Sequence, residues 1–506
     1  MNKHIYFLTF FLIVFSSIAK SDNFQKPRQV SISGKILNYE KGKTKLDFYV
    51  SKPGFEKDHV VPFIDSLGQF SANFETYVPT DVFVNNAGFF IVVHPGDNIQ
   101  MDFDGKQQNL SEILKTIKFS GDASKVNQEI ALFKEKYLLN SIVYDWNAQK
   151  KAQKEYDLKK YTLYLDTLKQ KTRQIYDQFV KDINPNKETK IWALTYMEEL
   201  YYDALAFYPS NHQEFNNLSS KDWDVPANYY APMLDRFPIT RAMLISGDAL
   251  TRFVNRFHFE YASLMTQTDD ANKKYLNADG ALSAAPVVFD KLVLNGIIKY
   301  TPDTLLRQMV LTEKFAQDFD QSQISAFENN RDLVDAYIKE PFLKEPLLQL
   351  YQQTKRRIEN PQITSDAILK QLYTSSVSQI MDSVLLNNKG KVIYLDSWAI
   401  WCGPCKAEMP NSKALMKQMA GKDVSFVYMC IDSDETAWKA CLDEFQLGGE
   451  HYLLTSQQST DFRKIFELEG VPCYFLFDKQ GKLIDKGSHL RPDQVKGKIE
   501  NLLSKP

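Results

Sequence analysis

The sequence predicts a multidomain protein with an N-terminal antiparallel β domain, a central all-α region and a C-terminal α/β domain. Three observations predict this. Apolar and polar residues alternate from about Val30 to Asp104, apolar residues recur with a helical period from about Asp122 to Leu372, and from about Ser375 short apolar runs alternate with helical stretches. The 506-residue length agrees, since a domain takes up about 150 residues. The expected divisions are an export signal over 1–19, a β-sandwich-like domain over 20–121, a helical domain over 122–374 and the α/β domain over 375–506.

Lys3 supplies a positive start, Ile5 to Phe15 an apolar stretch, and Ser17-Ile18-Ala19 small residues for cleavage after Ala19. The alternative is an uncleaved anchor, for which the apolar stretch is short. Either way the bulk of the chain is expected outside the cytoplasm, in the periplasm or cell envelope. No cysteine near Ala19 invites lipid attachment, and no transmembrane segment is expected after cleavage.

In the β region, Val30-Ser31-Ile32-Ser33-Gly34-Lys35-Ile36 and Phe70-Ser71-Ala72-Asn73-Phe74 have period two. Asn86-Ala87-Gly88 and Pro95-Gly96-Asp97 punctuate the apolar run Phe89 to Val93, so an antiparallel sandwich or barrel of roughly seven strands is expected. The middle region should divide into about seven to ten helices. Its breaks are read at Asn184-Pro185, Pro209-Ser210-Asn211, Pro226, Pro238, Pro302, Pro341 and Pro361. Lys150-Lys151 and Lys159-Lys160 interleave with Glu155, Asp157 and Asp166, which describes a solvated helix face. Tyr201, Tyr202, Phe207 and Tyr208 at helical spacing read as core rather than as a contact surface.

In the last region, strands are expected over Lys391 to Ser397 and Val424 to Ile431, with a helix over Pro404 to Met419 between them. Helices follow over Glu435 to Phe445 and Asp461 to Phe466. Tyr474 to Phe477 and Lys482 to Asp485 pair across Asp478-Lys479-Gln480-Gly481, and a helix from Pro492 to Leu503 closes the chain.

Composition narrows the function. With 44% hydrophobic and 25% charged residues the chain folds. The net charge of -2 offers no field for nucleic acid or anionic lipid. Five cysteines are too few for a disulfide scaffold of this length, and their odd number leaves at least one thiol without an intramolecular partner.

Chemistry concentrates at Trp401-Cys402-Gly403-Pro404-Cys405, between a buried strand and a helix. Both sulfurs then lie in the first helical turn, where free backbone N–H groups and the helix dipole favour a thiolate at Cys402. Cys402 is therefore the nucleophile, Cys405 the resolving thiol, and Pro404 is tolerated where no N–H is needed. A structural disulfide and half of a zinc site are the alternatives. The second fails for want of ligands, because Cys430, Cys441 and Cys473 have neither C-x-x-C spacing nor a companion His. No cofactor or metal is expected.

Asp396-Ser397-Trp398-Ala399-Ile400-Trp401-Cys402-Gly403-Pro404-Cys405 resembles the active-site strand and loop of thioredoxins, and Gly470-Val471-Pro472 is similar to their cis-proline loop. Lys406-Ala407-Glu408-Met409-Pro410 is similar to the TlpA/ResA-type subgroup, which has an acidic residue three positions after the second cysteine. The resemblance covers only the C-terminal region. It implies a thioredoxin-like fold, a redox-active Cys402–Cys405 disulfide and an extracytoplasmic exchange enzyme, commonly a reductase of protein disulfides that include cytochrome-maturation substrates. A membrane or periplasmic donor would recharge it.

The resemblance assigns further residues. Trp401, Gly403 and Pro404 shape the motif, and Pro472 stands beside the cysteines, where its backbone pairs with a substrate segment; an ordinary trans turn proline is the alternative. Asp396 corresponds to the buried carboxylate of thioredoxins, an acceptor for the Cys405 proton, or else is a strand-end Asp bonded to backbone. Glu408 is either the subgroup's auxiliary acid or an exposed helix residue. Cys473 replaces the usual Thr and is either a further redox partner or a small buried residue, while Cys430 and Cys441 read as structural. Gly403 and Pro404 carry no cation to stabilise a thiolate strongly, leaving the helix dipole and Lys406, which favours a reductase. The competing class is a binding or scaffold protein whose N-terminal domains do the work. A peroxidase would need P-x-x-x-T-x-x-C, which is absent.

Overall fold

The structure, a computed structural model, describes residues 26–505 apart from 42, 43, 45, 86, 87, 107, 108, 220, 221, 279 and 375. The expected export signal and the Asn86-Ala87 part of the expected turn therefore lie outside the described residues. Two compact units are present: Met1–Ala316 with Asn329–Leu347, and Gln317–Glu328 with Leu348–Pro506.

In the first unit, Gln69–Thr76 shows why these segments are strands. Phe70, Ala72, Phe74 and Thr76 point inward while the residues between them face out. The spatial order in one sheet is Phe63–Ile64, Gln69–Thr76, Arg28–Leu37, Asn98–Asp104, Lys118–Gly121; in the other it is Asp58–Val60, Phe48–Val50, Thr80–Val84, Phe89–Val93. Val30, Ile32, Phe70 and Ile99 of the first sheet share a core with Phe48, Val82 and Ile91 of the second. The expected count and direction need correction. Nine strands are formed among the described residues before position 122, and Arg28–Leu37 runs parallel to Asn98–Asp104, with Ile32 opposite Ile99. Period two reports which face is buried and says nothing of strand direction.

Gly34 lies where these parallel strands come closest, since an added Cβ would stand 1.8 Å from the Met101 carbonyl oxygen. We expect Gly34→Ala to destabilise this unit by about 2 kcal/mol or more, because backbone rather than a side chain has to move. Denaturant unfolding of the variant beside the parent protein checks this, and an unchanged midpoint would contradict it.

Eleven α-helices occur among the described residues between 122 and 366, slightly more than expected, because pieces as short as Ser325–Asn329 and Arg331–Tyr337 form. Side-chain caps start the long ones. Asp157 accepts from Lys160 N–H to begin Leu158–Ile183, and Asn186 accepts from Thr189 N–H to begin Lys187–Asn216. The break expected at Pro209-Ser210-Asn211 does not occur, as Pro209 sits inside Lys187–Asn216. A proline there deprives the carbonyl four residues back of its donor. That carbonyl, of Leu205, accepts instead from the Tyr229 hydroxyl at 2.9 Å. Tyr201, Tyr202 and Tyr208 are buried as expected, while Phe207 is part-exposed.

The second unit is built on a six-stranded sheet in the order Ala367–Leu369, Gly449–Leu453, Val424–Cys430, Val392–Trp398, Cys473–Phe477, Leu483–Gly487. The first four strands are parallel and the last two antiparallel. Val392–Trp398 is buried at every residue, as a central strand covered on both faces must be. Flanking helices are Val377–Asn387, Gly403–Gln418, Glu435–Phe445, Ser456–Ile465 and Lys496–Leu503. Two of these differ from expectation. Ser456–Ile465 begins five residues early because Thr455 and Gln458 form a capping box, and Lys496–Leu503 starts after Pro492 rather than at it.

Candidate active site

The strand Val392–Trp398 delivers the chain to the loop holding Cys402, and Cys402 is the N-cap of Gly403–Gln418. Its sulfur accepts a hydrogen bond from Cys405 N–H at 3.1 Å, satisfying one of the donors that a helix start leaves free. Pro404 occupies the first turn without costing a bond. The two cysteines form a disulfide with Cα atoms 5.2 Å apart. In this disulfide Cys402 is 3% exposed and Cys405 1%. Trp401 is 47% exposed, its indole N–H donating to the Asp432 carbonyl at 3.2 Å, and Gly403 and Pro404 are exposed beside it.

Asp396 lies six residues before Cys402 on the central strand, 1% exposed, with Oδ1 lacking a protein partner. Burial, reinforced by the charge of Glu408, pushes its carboxyl up to about 8. Glu408 is not an exposed helix residue. It is buried, and it accepts from Arg491 at 2.6 Å and from Asn411 Nδ2 at 2.9 Å. The peptide between Val471 and Pro472 is cis. Cys473, next in sequence, opens an edge-side strand opposite Ser397 and is part-buried. Burial pushes its thiol up, Lys486 opposes this and Asp396 adds to it. Cys430 and Cys441 are fully buried, and burial pushes both thiols up.

Sequence reasoning did not find Arg491 as the partner of Glu408, 83 residues away, or Asp320 as the partner of Lys406, 86 residues away. No local pattern encodes either pair. The one available signal was that an acidic side chain on the buried side of a helix needs a cation. Among the described residues no group of His, Cys, Asp or Glu could hold a metal ion, and no helix is long and apolar enough to cross a membrane.

This combination of a parallel-centred sheet, a disulfide at a helix start and a cis-proline loop defines a thioredoxin-like domain, and residues 375–503 match the Redoxin family model. Residues of this chain are 29% identical over 117 positions to a thiol-disulfide oxidoreductase ResA of Bacillus cereus, covering 23% of this chain and 64% of that one. The chain thus spans somewhat under two thirds of the length of that relative. A thioredoxin-like protein YneN of Bacillus subtilis is 27% identical over 141 residues, 28% of this chain and 77% of its own. Among solved structures, the thioredoxin domain of a thiol-disulfide oxidoreductase from Bacteroides vulgatus is 25% identical, with a TM-score of 0.22, covering 24% of this chain and 84% of that chain.

Proposed function

We propose that the protein is an extracytoplasmic thiol-disulfide oxidoreductase that reduces protein disulfides through Cys402 and Cys405. The observation that carries this is the pair's position, with the Cys402 sulfur placed against the free N–H groups of a helix start. In the reduced state the Cys402 thiolate attacks one sulfur of a substrate disulfide, forming a mixed disulfide and releasing the other substrate sulfur as thiolate. Cys405 then attacks the Cys402 sulfur, restoring the internal disulfide and freeing the substrate as a dithiol. Two electrons and two protons have passed to the substrate. Asp396, with a carboxyl that ionises near neutral pH, takes the proton of Cys405 as it attacks. The resemblance of Gly470-Val471-Pro472 to the thioredoxin substrate loop supports strand-like holding of the substrate backbone there.

The neutral Gly403 and Pro404 support reduction over oxidation, since no cation between the cysteines holds the thiolate. Export rests on Lys3, the apolar run Ile5 to Phe15 and Ala19. In such a compartment the oxidised pair needs an envelope electron donor to recharge it. Insulin reduction with dithiothreitol as donor tests the reading. The full chain should accelerate it and Cys402→Ser should return the rate to background, whereas activity surviving in Cys402→Ser would overturn the assignment.

A further inference from the structure

Lys406 follows Cys405 directly and lies four residues after Cys402, on the same face of the helix. Helical side chains lean toward the N-terminus, so an unrestrained Lys406 ammonium would lie over the turn that carries the Cys402 sulfur. It is restrained. Lys406 is 6% exposed, and its Nζ donates to the carbonyl oxygen of Asp320 at 2.8 Å and to the Asp320 carboxylate. Asp320 is the last residue of the helix Thr304–Asp320, so the ammonium meets a carboxylate and the negative end of a helix dipole together. The neighbouring turn is part of the same arrangement, since both Ser322 and Lys406 act on the Cys441 thiol.

Asp320 belongs to Gln317–Glu328, a piece of the helical region that lies outside the Redoxin match yet inside the compact unit holding the redox pair. Nearby, Arg356 of Pro341–Glu359 grips the buried Asp443 carboxylate, which also accepts from Gln362 N–H at 2.8 Å. Helical segments from the middle of the chain are therefore part of the redox unit.

We propose that Asp320 is a positioning residue for the redox pair: by holding the Lys406 ammonium it keeps that cation from stabilising the Cys402 thiolate and so favours the disulfide over the dithiol. This rests on the exchange reading above. It gives the region before the Redoxin match a task in that reading, which is to make the pair more reducing than its own helix would.

The equilibrium that reads this out is the oxidised pair plus two glutathione molecules giving the dithiol plus glutathione disulfide, with two electrons and two protons transferred. In the full chain, Asp320→Asn should move it toward the dithiol by about two- to tenfold and let Cys402 react with iodoacetamide at lower pH. Asp320→Glu should restore the parent values, and Lys406→Met should abolish the effect of Asp320→Asn when the two are combined. A purely structural role for Asp320 would move the unfolding midpoint and leave the equilibrium and the alkylation profile where they were. An Asp320→Asn protein that folds with both unchanged, or one whose shift persists in the Lys406→Met background, would overturn the proposal while Cys402-dependent insulin reduction still stands. A parent chain whose pair does not exchange with glutathione at all would instead remove the exchange reading, and this inference with it.

Discussion

Cys405→Ser should stop turnover and leave the protein linked covalently to its substrates. Without Cys405 the first step remains, because Cys402 keeps its place at the helix start, while the second step has lost its attacking sulfur. Insulin reduction should fall by at least about a hundredfold, since resolution then depends on a thiol from solution rather than one held a turn away. Cys402 and Cys405 have Cα atoms only 5.2 Å apart, so the lost attack was an intramolecular one. Adducts that vanish on addition of dithiothreitol should appear on non-reducing gels when the variant is purified from cells that express it. Their mass spectra should place the bond on Cys402. Adducts found on Cys473 instead would show that the third sulfur beside Pro472 is the one that meets substrate.

Asp396→Asn should stabilise the C-terminal unit above neutral pH and slow exchange at the same time. The carboxyl is raised from 3.8 to about 8 in the folded protein, by burial first and by Glu408 second. Between these two values the folded state holds a proton that the unfolded state has released. Stability therefore falls as pH rises through that window, and above about 8 the full penalty of a buried charge is present. Asparagine does not ionise. At pH 8.5 the variant should be more stable than the parent by a few kcal/mol, with the difference shrinking toward pH 4. Denaturant midpoints at the two pH values, with the disulfide intact in both proteins, measure this. An equal difference at both would mean that Asp396 is not the group responsible. In exchange assays the same variant should lose rate most near neutral pH, where Asp396 can both accept and release a proton.

How much of this was legible in the sequence depends on whether the signal is local. The motif Trp401 to Cys405, the strand before it and the helix after it are encoded by adjacent residues, and they appear where the sequence placed them. The strand Gly449–Leu453 was not read, because Glu450 and His451 interrupt its apolar run. His451 is nonetheless fully buried, its Nε2 within 2.9 Å of the Leu447 carbonyl, and burial pushes its imidazole down to about 4, so it behaves as a neutral core residue. Ala367–Leu369 is too short to show a period. Pro209 was read as a break because the Tyr229 hydroxyl that compensates for it comes from another segment. The partners of Glu408 and Lys406 were invisible for the same reason. Pairing across such separations depends on the fold, and one sequence states the need for a partner without naming it.

Arg28–Leu37 lies between Gln69–Thr76 and Asn98–Asp104, and its parallel partner Asp102 comes 67 residues after Lys35. For a chain that emerges from its N-terminus onward this sets an order of events. The first strand to emerge pairs on one side as soon as Gln69–Thr76 follows, but its other edge stays open until Asn98–Asp104 has also emerged. Open edges recruit foreign strands, and long-range parallel pairing is slow. The interval in which this protein most needs a chaperone is thus written into the middle of its first sheet, far in sequence from the sulfurs it delivers.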